Sequence, residues 1–118
     1  MTRTALVVDD PPSFRASARA VLEAAGFEVL GEAESGADAL TAITRLDPDL
    51  VLLDVQLPDM TGFDVCAALE DGAGPPCDVI LVSSRDAADY GDAVAESCAR
   101  GFIAKADLSG ETIEALLA

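Results

Sequence analysis

The sequence predicts an α/β domain in which a parallel sheet is covered by helices on both faces. Two patterns carry that reading. Short, uninterrupted apolar runs recur along the chain, and segments with apolar residues at helical spacing alternate with them. Strands buried on both faces read as continuous apolar runs, and parallel strands need a crossover, usually a helix, between them. Composition agrees. Hydrophobic residues make up 51% of 118 residues and aromatics only 4%, so the core must be built mostly from Ala, Val, Leu and Ile.

Residues 5–8 form the first apolar run, ending at Asp9-Asp10-Pro11-Pro12. A helix is predicted over 13–25, with Ser13 as its cap and Gly26 ending it. Residues 27–33 alternate, with Phe27, Val29, Gly31 and Ala33 against Glu28, Leu30 and Glu32, which suits a strand with a more exposed face. Ser35 is placed to cap a helix through Leu46, and Pro48 forbids its continuation. The run 50–53 ends at Asp54, followed by turn chemistry at Pro58-Asp59-Met60-Thr61-Gly62 and a helix over 63–69. After a loop at 72–76, residues 79–82 form another apolar run, ending at Ser83-Ser84. Residues 85–100 are weakly amphipathic and are predicted helical despite Gly91. Residues 102–104 make a short strand ending at Lys105, and Ser109 caps a last helix carrying Ile113, Leu116 and Leu117. Strand and helix thus alternate five times, and residues 1–118 read as one domain without internal repeats.

The charge balance is strongly acidic, 7 basic against 22 acidic residues for a net −15. Such a chain is repelled by nucleic acid phosphates and by anionic membranes, so direct binding to either is not expected. There is no histidine, which disfavours zinc sites and serine–histidine catalysis. Cys66, Cys77 and Cys98 have no metal-ligand spacing and read as small apolar residues in a reducing compartment. Absence of a secretory segment or membrane-length apolar run predicts a soluble cytoplasmic protein.

The chemistry is signalled by position. Asp9-Asp10, Asp54, Ser83 and Lys105 each stand at the carboxyl end of an apolar run, where open parallel sheets bind ligands. Singly, each is an ordinary cap or turn residue. Together, with the chain's sole lysine among them, they predict a crevice of carboxylates, a hydroxyl and an ammonium. Clustered carboxylates repel unless a cation intervenes, and Mg2+ is a hard, oxygen-seeking cation that commonly shares its site with phosphate. An aspartate can act as a nucleophile and form an acyl phosphate.

The segments VVDD (7–10), LVLLDVQLPDMTG (50–62), ILVSS (80–84) and GFIAK (101–105) together resemble the response-regulator receiver family over nearly the whole chain. The resemblance implies a flavodoxin-like (βα)5 three-layer sandwich with strand order 2-1-3-4-5. It implies that Asp54 is the phosphoacceptor, that Asp10 binds Mg2+ directly and Asp9 through water, and that the backbone carbonyl of Gln56 is a further ligand. Lys105 then matches the family's phosphate-pairing lysine, Ser83 its hydroxyl switch, and Phe102 its aromatic switch, with a plain core aromatic as the alternative for Phe102. Gly62 matches a glycine after the acceptor, explained here by a backbone conformation that glycine tolerates best. Arg85 flanks the site, with either a phosphate contact or a solvent-facing side chain open to it. The implied partners are a sensor histidine kinase or phosphotransfer protein, with a homodimer on phosphorylation and a role in transcription. LPDMTGFDV and GFIAKADL are closest to receivers that precede helix-turn-helix output domains.

Two rival readings stand beside this one. Magnesium phosphohydrolases of the haloacid dehalogenase type carry a second aspartate two residues after the nucleophile, where this chain has Gln56. A receiver-like binding module that works without phosphorylation usually lacks the acidic pair, the acceptor or the lysine, all of which are present.

Overall fold

The computed structural model describes residues 2–118. Strands β1 (Thr4–Val8), β2 (Glu28–Ala33), β3 (Leu50–Asp54), β4 (Asp78–Ser83) and β5 (Gly101–Ala104) form one parallel sheet in the order β2-β1-β3-β4-β5. This is the flavodoxin-like order that the resemblance implied. Helices α1 (Pro12–Ala24), α2 (Gly36–Leu46), α3 (Gly62–Glu70), α4 (Ala93–Glu96) and α5 (Gly110–Leu117) connect the strands or follow the last.

Side chains alternate across a strand, so each apolar run feeds two cores. Leu6, Val8, Val51, Leu53, Val79 and Leu81 pack with Ala39, Ala42 and Ile43 of α2 and Val65 and Cys66 of α3. Ala5, Val7, Leu50, Leu52, Ile80 and Val82 pack with Ala18 and Leu22 of α1 and Ile113 of α5. That two-sided burial explains why β1, β3 and β4 carry no alternation in their sequence.

Several helix ends follow their local chemistry. Ser35 Oγ accepts from the Asp38 N–H at 3.1 Å, and Thr61 and Ser109 head capping boxes on α3 and α5. Ser13 is different. The first helix starts one residue earlier, at Pro12, with Pro11 in the cap position and no side-chain cap. A proline in the first turn lacks only an N–H that would have no helical partner anyway, so Ser13 lies inside the helix.

The largest departure is at 85–100. Instead of one helix, the chain forms a 3-10 turn, Ala87–Tyr90, then the single-turn α4, with Gly91 between them at φ 59°, ψ −129°. That backbone geometry lies outside the helical region, and glycine adopts it with the least strain. Neither short element contains a buried residue. Among the described residues, no helix is long and apolar enough to cross a membrane. Cys66 is buried, Cys77 and Cys98 are half-buried, and all three are free, as expected of apolar packing.

Candidate functional site

The carboxyl ends of β1, β3 and β5 bring Asp9, Asp54 and Lys105 together. Asp9 and Asp54 are 0% and 6% exposed, which removes both carboxylates from most of their hydration. Lys105 Nζ stands 2.7 Å from Asp9 Oδ2 and 3.7 Å from Asp54 Oδ2. The closer contact engages Oδ2 of Asp9 as a charge pair, and the buried Oδ1 of the same carboxylate has no hydrogen-bond partner. Burial raises the Asp9 carboxyl above its ordinary value, while Lys105 pulls it back. Burial, with the neighbouring Asp9 charge, pushes Asp54 up to about 6 against the opposing pull of Lys105.

A single lysine therefore leaves two buried carboxylates short of positive charge. This donor set fits a hard divalent cation: a partnerless buried oxygen on Asp9 and a second carboxylate held above its usual range. The third acid is placed differently. Asp10 is exposed at the rim, and among the described residues no three acidic, histidine or cysteine side chains gather into a ready metal cluster. Gln56 is also at the rim, where its N–H makes a long 3.4 Å contact to Asp54 Oδ1.

Ser83, at the end of β4, is 1% exposed but makes no hydrogen bond to Asp54. Its hydroxyl instead meets the Tyr90 hydroxyl at 2.7 Å and accepts from the Arg85 N–H at 3.1 Å. Phe102 is half-buried beside Tyr90, with ring centroids 5.9 Å apart. The Arg85 side chain is exposed, so only its backbone enters the site.

Three supports were not foreseen. Arg15 donates from Nη1 to the carbonyls of Asp9 and Asp10 at 2.8 and 2.6 Å, and from Nε to Glu32 at 2.9 Å. It ties the acidic loop to β2. Burial alone would raise the Glu32 carboxyl, but the Arg19 and Arg15 guanidinium groups hold it below its ordinary value. Phe14 places its ring 4.4 Å from Lys105 Nζ, a cation–π contact that helps fix the ammonium. Asp59 accepts from the N–H groups of Gly36 and Ala37 at 2.8 and 3.0 Å, fastening the loop after Asp54 to the start of α2. Arg15 and Phe14, four to six residues past the acidic pair on a helix entering the crevice, were the detectable signal.

Gly62 is required for a reason other than the one expected. Its φ is not positive. A Cβ there would lie 2.7 Å from the carbonyl oxygen of Asp54 and 3.2 Å from Val55 Cα. The need is for close backbone approach behind the acceptor, not for a left-handed conformation.

With the fold and crevice in view, comparison with known proteins assigns the class. The family model for the response regulator receiver domain matches residues 5–117, and the chain belongs to this family of two-component signalling domains. It is 45% identical over 91 residues to the DNA-binding response regulator MtrA of Mycolicibacterium smegmatis, across 75% of this chain and 38% of that protein. It is 33% identical over 115 residues to the transcription regulator BvgA of Bordetella pertussis, across 98% of this chain and 54% of that one. The chain thus spans about half or less of the length of these curated relatives. Among solved structures, the signal receiver domain of NarL from Mycobacterium tuberculosis superposes with a TM-score of 0.85 at 35% identity, over 98% of this chain and 94% of that one. The response regulator domain of Thermotoga maritima CheB reaches the same TM-score of 0.85 at 22% identity, a likeness of fold.

Proposed function

We propose that residues 1–118 act as one cytoplasmic receiver domain that takes a phosphoryl group onto Asp54 from a histidine kinase or phosphotransfer protein. The observation that carries this is the Asp54 carboxylate itself: nearly buried at the end of β3, pushed up to about 6, and faced by Lys105. A carboxylate oxygen of Asp54 attacks the phosphorus of a phosphohistidine. The new O–P bond forms as the P–N bond breaks, and the imidazole nitrogen keeps the electron pair. Asp9, Asp10, Asp54 and the Gln56 carbonyl would hold Mg2+, which supplies neutralising charge to the phosphoryl oxygens. Lys105 pairs with the same oxygens from its place between Asp9 and Asp54. Ser83 donates its hydroxyl to the modified group, and Phe102 repacks as Ser83 moves.

The domain is a signalling module rather than a turnover enzyme. Its output is regulation of a further domain or partner, with transcription the favoured output because MtrA is a DNA-binding response regulator and BvgA a transcription regulator. A homodimer formed on phosphorylation is one route to it. The domain's own charge of −15 opposes direct nucleic acid contact.

Incubation with Mg2+ and acetyl phosphate, followed by intact mass, tests the assignment. One labile phosphoryl adduct is expected on the wild type and none on Asp54→Asn. An adduct that survives in Asp54→Asn would overturn it.

A further inference from the structure

The hydroxyl of Ser83 is already engaged. We infer that Tyr90 is a positioning residue that latches Ser83 in the unmodified protein, holding its hydroxyl toward the β4–α4 connection until a phosphoryl group on Asp54 competes for it. The inference rests on the Asp54 reading.

A serine hydroxyl has one hydrogen to donate and two lone pairs to accept with. Ser83 Oγ accepts from the Arg85 N–H at 3.1 Å and shares its 2.7 Å bond with the Tyr90 hydroxyl. At 1% exposure, water offers no easy substitute partner. Where Ser83 is the donor, giving its single hydrogen to a phosphoryl oxygen takes it from Tyr90; where Tyr90 is the donor, a turn of the Ser83 side chain toward Asp54 stretches the 2.7 Å bond.

Tyr90 is also built to pass the change on. Its ring meets Phe63 edge-on at 5.6 Å and Phe102 at 5.9 Å. It ends a four-residue 3-10 turn, with Gly91 immediately after it in the conformation that glycine tolerates best, and nothing in that turn is buried. Tyr90 is half-buried and packs at the margin of the core on the α2 and α3 face, so its movement disturbs that core only at its edge. Ser83 thus reaches Phe102 through Tyr90, and the β4–α4 connection carries the signal along with β5.

The chain has one tyrosine and no tryptophan, so the near-UV phenol band belongs to Tyr90 alone. Acetyl phosphate and Mg2+ are added to the full chain, and that band is followed in parallel with intact mass. The band is expected to shift as the adduct accumulates. Tyr90→Phe keeps the ring and removes the latch, and should raise the rate of phosphoryl acceptance about 5-fold, the worth of one net hydrogen bond. In a Ser83→Ala background the same change should give no gain, a dependence that ring packing alone would not produce. An adduct without a phenol shift, or an equal gain in both backgrounds, overturns the latch and leaves the Asp54 assignment standing. A wild type that takes up no phosphoryl group overturns the assignment and the latch with it.

Discussion

Two connections leave the carboxyl edge of the same sheet, one from β2 and one from β4, and are built very differently. After β2, Ser35 caps an eleven-residue helix that buries Gly36, Ala39, Ala42 and Ile43, and Asp59 fastens its first turn to the loop behind Asp54. After β4, the chain makes a four-residue 3-10 turn and a four-residue helix with no buried residue. Local stability follows buried apolar contact. The side that holds the acceptor is therefore stiff, and the side that faces Ser83 is soft. A phosphoryl site needs fixed charges, whereas a signal needs an element that can change shape at small cost.

The contrast is sharpest in the cores. Ile43→Ala should cost about 3 kcal/mol in urea unfolding, whereas Val94→Ala in α4 should cost under about 1 kcal/mol. Equal costs would break the comparison. Next comes Gly62→Ala, expected to cost about 2 kcal/mol because the new Cβ meets the Asp54 carbonyl, with slowed phosphoryl acceptance as a second readout. Asp54→Asn should stabilise the metal-free protein by about 1–2 kcal/mol at neutral pH, because it removes a charge that the crevice disfavours. The sign follows from a carboxyl raised from 3.8 to about 6 in the folded state. Its contribution is fully favourable below about 4 and is lost as pH rises through about 6. Chelator-treated wild type should weaken across that window, and Asp54→Asn should weaken less, because only the raised carboxyl of Asp9 is then left to ionise in the crevice. Gly91→Ala follows at about 1 kcal/mol, since a strained residue in a loose turn can relax. Amide exchange should show 86–99 opening before α2.

Legibility in the sequence divides along the same line. β1, β3 and β4 were readable because burial on both faces leaves an unbroken apolar run, and the strand ends then located Asp9, Asp54, Ser83 and Lys105. Residues 85–100 were misread as helix because apolar residues recur there at roughly helical spacing, while Gly91 leaves the helical region entirely. Ser13 was misread as a cap because two prolines already start the helix without one. For Gly62 the residue was right and the reason wrong, since close approach to another strand end is a tertiary fact. Burial also divides the acidic pair: Asp9 lies inside and Asp10 at the rim, a difference that two adjacent identical letters cannot show. Arg15, Phe14 and the Ser83–Tyr90 bond depend on where side chains end, which spacing does not record.

Lys105 is the chain's only lysine, and its side chain is 19% exposed between two carboxylates and the ring of Phe14. The protein therefore offers amine-directed reagents one side-chain target, and that target is the site itself. Acylation at this position would erase the crevice's one internal cation and leave Asp9 and Asp54 facing each other uncompensated. Acetylation at a single atom would thus act as a veto on the phosphoryl chemistry, and the rate of its labelling would measure how often the crevice opens.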